Sequence, residues 1–202
     1  MAVSTDVTRG VLGVTGMNYS TLLDRSSDFS RYSPVLYASY PDKVDQQVVF
    51  ALLQMLWDRA EADGYAHHMT DDPLPGTPRH QILMHVSFGD HQVANVTAEV
   101  EARTIGARLR RPALDDGRSP DIAPQWGILP IGHYPYNGSA IVYWDSHMTP
   151  APPIENLPPT AGDDPHEFAR SQVEARAQKS AFLRTSGAVI DTCAGLPCPS
   201  PA

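Results

Sequence analysis

Apolar positions along the chain fall into short unbroken runs alternating with longer periodic ones. Gly10 to Val14, Gln81 to Phe88 and Ser139 to Trp144 are the short runs, flanked by the turn signals Thr15-Gly16, Gly89 and Asn137-Gly138. Near-continuous apolar strands fit burial on both faces of a parallel sheet. Val44 to Ala60 has helical spacing, with Val48, Leu52 and Leu56 beside Val49, Leu53 and Trp57 as a wide apolar face. Val93 to Leu109 carries Val96, Val100 and Ala107, with Glu99, Glu101 and Arg103 on other faces. Glu167 to Leu183 is more polar, with Phe168, Val173, Ala177, Ala181 and Leu183 free to pack. This alternation predicts an α/β fold, a parallel sheet with packed helices. Three strands are few for an open sheet, so the expectation is a partial one.

Proline punctuates these elements. The 19 prolines are unevenly placed, with runs in Met148–Pro159, an extended surface segment, and Pro73–Pro78, a shorter break of the same kind. Arg111 to Pro130 is polar and proline-broken, and reads as a long loop. The chain has 202 residues, 42% of them apolar, which is enough for a packed core. Its formal charge of −8 disfavours a nucleic-acid or anionic-membrane partner, and Arg108, Arg110 and Arg111 are too small a basic cluster to reverse that. No apolar run is long enough for a transmembrane segment.

In open parallel sheets, ligands gather beyond the carboxyl ends of the strands. Gly89-Asp90-His91-Gln92-Val93 follows the second run; Asp145-Ser146-His147 and then Asp163-Asp164-Pro165-His166-Glu167 follow the third. Asp90 reads either as the N-cap of a helix starting near Gln92 or as a functional carboxylate. Asp164, Pro165 and Glu167 fit a capping box that would hold His166 in a first helical turn. The positive helix end there disfavours imidazolium and a facing carboxylate favours it. His166 is thus either a surface-loop histidine or a general base.

An acid after one strand and a histidine after the last, ahead of a closing helix, resembles the C-terminal half of the α/β-hydrolase fold, in which nucleophile, acid and histidine follow in that order. Gly89-Asp90-His91-Gln92-Val93 is similar to that family's acid-bearing turn, and His166-Glu167-Phe168, ahead of a helix ending Ala181-Phe182-Leu183, to its histidine loop. Met17 to Leu23 and Phe88 to Gly106 look like large bacterial hydrolase-like proteins of unassigned substrate. The resemblance covers nearly all of residues 10–185. It implies that residues 1–190 form the C-terminal part of such a domain, with 18–78 as a lid or cap insertion and 191–202 as a tail. The implied reaction is hydrolysis of a small-molecule ester, or less readily an amide, through an acyl-serine. His166 is then general base and acid, oriented by Asp90.

The family's Gly-x-Ser-x-Gly elbow is missing: neither Gly16 to Ser20 nor Asn137 to Ala140 has both flanking glycines. The resemblance therefore puts the serine, the earlier strands and the oxyanion-hole amide in an upstream half, with Met1 an internal start. The chain alone is expected to have little or no activity, and an exposed sheet edge near Val11–Val14 prone to association. The alternative, from another class, is a non-catalytic binding or assembly domain that uses the lid and the proline-rich loop as its surface.

Other chemistry is less well supported. His67-His68 adjoin Asp71-Asp72, but adjacent histidines point apart in a helix or strand, so no metal site is assigned. His85 lies in an apolar strand and reads as a core residue. His91 is placed to line the cleft but is adjacent to Asp90 in sequence, a poor triad geometry. Tyr134, Tyr136, Trp126 and Trp144 read either as core or as pocket walls. Gly10 to Gly16 has the wrong spacing and no lysine for a phosphate loop, so no cofactor is expected. Residues 1–9 lack the features of a signal peptide, which alone reads as cytoplasmic. Cys193 and Cys198, across a turn with Gly195 and Pro197, read as a disulfide or as two free thiols; two thiolates without nearby partners make a poor zinc site. The turn favours the disulfide, and with it a secreted, periplasmic or cell-surface parent.

Overall fold

The apolar runs become strands β1 (Arg9–Gly13), β2 (Gln81–Ser87) and β4 (Ala140–Trp144) in the computed structural model, which describes residues 1–199. A further two-residue strand, β3 (Arg108–Leu109), completes an all-parallel sheet of order β1-β2-β4-β3. Arg9 pairs with Gln81, Leu83 with Ala140, and Arg108 with Ala140. The fold is α/β, with helices on both faces of the sheet.

Side chains alternate between these faces. Ile82, Met84, Val86, Ile141 and Tyr143 pack with Ala98 and Ala102 of α4 (Asn95–Thr104). Leu83, Val142 and Trp144 pack on the other face with Ala169, Ala175 and Phe182, from α5 (Phe168–Ser171) and α6 (Val173–Phe182). Burial on both sides explains why β2 and β4 read as unbroken apolar runs.

Two expected helices are shorter than their patterns. The segment 93–109 is not helical throughout: α4 stops at Thr104, where Gly106 adopts φ 65° and Ala107 N donates to Ala102 O at 2.8 Å. That left-handed glycine closes the helix and frees Arg108 and Leu109 to pair. Residues 167–183 divide into α5 and α6 at Gln172, whose ψ of 135° is extended.

Residues 14–80, between β1 and β2, carry α1 (Tyr19–Leu22), α2 (Ser33–Ser39) and α3 (Lys43–Trp57). The wide apolar face expected of α3 is only half used. Gln46, Phe50 and Gln54 are its buried row, whereas Val44, Val48, Leu52, Met55 and Leu56 face outward. The glutamines go inward because the neighbouring chain needs partners: Gln46 Nε2 donates to Tyr40 O at 2.7 Å, and Ser20 N donates to Gln54 Oε1 at 2.9 Å.

Residues 191–199 of the expected tail pack against the sheet, and its last three residues lie outside the described residues. A disulfide joins Cys193 to Cys198, with Cα atoms 5.6 Å apart and both residues buried. Asp145 N, just past β4, donates to Cys198 O at 2.7 Å. Asp191 accepts from Cys193 N, Gly195 N and the buried Arg110. Among the described residues, no helix is long and apolar enough to cross a membrane.

Candidate functional site

Strand β2 ends at Ser87, and Gly89, at φ 79°, turns the chain so that Asp90 sits beyond the sheet's carboxyl edge. Asp90 does not cap α4, which begins at Asn95. Its Oδ1 instead accepts from Gln92 N at 2.8 Å and Val93 N at 2.9 Å, a local turn preceding the helix. The capping box at His166 does not form either. Helix α5 starts at Phe168 without a side-chain cap, and the Glu167 carboxylate pairs with Arg170. His166 is held by Asp164, whose Oδ1 accepts from His166 N at 3.1 Å and from His91 N at 3.2 Å. Gln92 Nε2 donates to Asp164 Oδ2 at 2.8 Å. Asp164 thus clamps the turn after β2 to the loop before α5.

Within this clamp, His166 Nδ1 stands 3.0 Å from Asp90 Oδ2 and 3.1 Å from Oδ1. The Asp90 side chain is 1% exposed and that of His166 16%. An Nδ1–H donated to the carboxylate leaves Nε2 unprotonated as the basic nitrogen, the tautomer a general base needs. Burial pushes the Asp90 carboxyl up from the ordinary aspartate range, opposed by the Val93 amide, the His166 ring and the Gln92 amide. Asp164 is held below that range: the Gln92 side chain and the His91 and His166 amides outweigh its desolvation. Among the described residues no hydroxyl or thiol is hydrogen-bonded to the His166 ring; its partner there is Asp90.

The other candidates separate cleanly. His85 is a core residue: Nε2 donates to Gln178 Oε1 at 2.7 Å, and burial lowers its pKa to about 3, so the ring is neutral. Trp144 is fully buried and packs on His85. Tyr134 and Tyr136 are half-buried against the same cluster. Trp126 is exposed and lines a cleft of about 360 Å³ on the α4 side of Asp90, with Phe88, Glu99 and Ile154. There Tyr143 Oη donates to Glu99 Oε1 at 2.6 Å, and burial raises the Glu99 carboxyl. His91 is buried, and its carbonyl accepts from Ser27 N at 2.8 Å, tying the 14–80 excursion to the acid turn.

Sequence reasoning missed Asp24. It is buried and accepts from Tyr37 Oη at 2.5 Å, Gln47 Nε2 at 2.8 Å and Asn156 Nδ2 at 3.0 Å, joining the excursion to the proline-rich segment. It also missed the pairing of Asp145 with Arg118, whose Nε lies 2.6 Å from Oδ2. His67 and His68 do not point apart as expected: they lie in a 3-10 turn, Ala66–Met69, with ring centroids 3.8 Å apart. No protein family, curated protein or solved structure matches this chain.

Proposed function

We propose that Asp90 and His166 are the acid and the base of a serine ester hydrolase of the α/β-hydrolase kind. Its nucleophile and oxyanion hole come from an upstream half, and residues 18–78 form its lid. The reading rests on one observation, the buried Asp90 carboxylate 3.0 Å from His166 Nδ1 at the carboxyl end of a parallel sheet. His166 takes the serine proton through Nε2 and returns it to the leaving alkoxide, while Asp90 holds the tautomer and stabilises the imidazolium. The Cys193–Cys198 disulfide supports a parent outside the reducing cytoplasm.

Labelling with a fluorophosphonate tests this. The 202-residue chain should stay unlabelled, and an upstream-extended protein should label at one serine. In that longer protein His166→Ala should abolish labelling, and Asp90→Asn should slow turnover about 10⁴-fold. His166-dependent labelling of the short chain would overturn the missing nucleophile. Silence from both proteins would favour a binding or assembly domain. That second reading draws on the outward apolar row Val44, Val48, Leu52 and Met55 of α3.

A further inference from the structure

The 3-10 turn Ala66–Met69 presents its two histidines from a firmly seated base. Ala66, Met69 and Thr70 are buried, and His80 N donates to Met69 O at 2.7 Å. The chain then folds back on itself, with Asp71 N and Asp72 N both donating to His67 O, at 3.1 and 3.3 Å. Arg79 secures the fold-back through Asp71 at 2.9 Å, and among the described residues no arginine or lysine pairs with Asp72. The imidazoles stack at 3.8 Å with 39° between their planes, and His68 Nδ1 lies 3.5 Å from Asp72 Oδ2. One donor atom each from His67, His68 and Asp72 falls within 4.8 Å of the others.

We propose that His67, His68 and Asp72 bind a divalent transition-metal cation, with zinc as the representative ion. Donors around tetrahedral zinc stand about 3.4 Å apart at bond lengths of about 2.1 Å. His67 and Asp72 are exposed, so side-chain rotation closes the difference while the buried turn stays fixed. Two imidazoles and one carboxylate select zinc, nickel or copper over calcium or magnesium, which prefer all-oxygen shells. Three protein donors leave a coordination position open to solvent. His68 Nδ1 also sits 2.5 Å from Asp72 O, a second contact that orients the ring.

Zinc titration of the tag-free chain against a chromophoric chelator should give one ion per chain. His67→Ala, His68→Ala and Asp72→Asn should each weaken binding at least about tenfold, whereas His133→Ala should leave it unchanged. In the unsubstituted protein, imidazole ¹⁵N signals of His67 and His68 should move together on zinc addition, a readout independent of any variant's folding. Millimolar calcium should not displace the zinc. Failure to bind zinc, binding indifferent to the His68 substitution, stationary imidazole signals, or displacement by calcium would each overturn the site.

Discussion

Asp90 does more than face a histidine. Its Oδ1 also accepts the Gln92 and Val93 amides, so the carboxylate shapes its own turn and is buried as a result. Because burial raises its folded pKa above the unfolded value, the unfolded chain releases this proton first. The group therefore favours the folded state most below the ordinary aspartate range, and that contribution is lost as pH rises through the raised value. Asparagine keeps an acceptor oxygen for both amides but carries no charge. Asp90→Asn should then gain stability relative to the parent as pH rises from the ordinary aspartate range through the raised value, as read from urea midpoints. An aspartate retained for structure alone would show the variant losing stability at neutral pH. Asp90 and His166 could be picked out as candidates because each lies in a polar segment that follows a strand, although neither helix cap expected there forms. Asp24 could not, because partners such as Asn156 come from distant segments; for Asp164 the sequence suggested its hold on His166 but not its contact with the distant His91.

At the scale of elements, the middle of the long loop 111–130 is held through Arg118. Arg118 grips Asp145 through Nε at 2.6 Å and Nη2 at 3.0 Å, donates to Thr149 O at 2.5 Å and lies 4.6 Å over the Phe88 ring. Asp145 is buried, so losing its partner strands a charge at the end of β4. Arg118→Met should destabilise by about 3–5 kcal/mol and open 111–130 to proteolysis, and adding Asp145→Leu should recover much of the loss. An Arg118→Met protein with the parent's unfolding midpoint would show the pair to be dispensable. The same scale marks where pattern reading stops. Periodicity located α3 but not its inner face, because buried glutamines serving Tyr40 and Ser20 outweigh a fully apolar seat. It extended α4 past Gly106, where a positive φ rather than any change in hydrophobicity ends the helix.

For the whole molecule, the α/β class and three of the four strands were readable because burial on both faces leaves a continuous apolar signature. The two-residue β3 carries too short a pattern to see. The C-terminal segment, expected as a tail, docks through Cys198 O and Asp191 onto the end of β4 and onto Arg110. Replacing Cys193 and Cys198 together by serine should lower the unfolding free energy by about 2 kcal/mol, the chain-entropy value for so short a loop. Equal stability of the oxidised protein and this variant would mean that docking alone holds the segment.

A parallel sheet must be closed by segments far apart in the chain. Arg9 meets Gln81 and Leu83 meets Ala140, so every strand pair waits on a distant stretch of sequence. Contacts of that range make folding slow, because each requires a long loop to close first. During synthesis β1 cannot pair with β2 until residues 14–80 between them have been made, and β4 only later takes its place between β2 and β3. Until β2 arrives, the side of β1 that it will cover stays open, and that is the interval in which a chaperone protects the chain most.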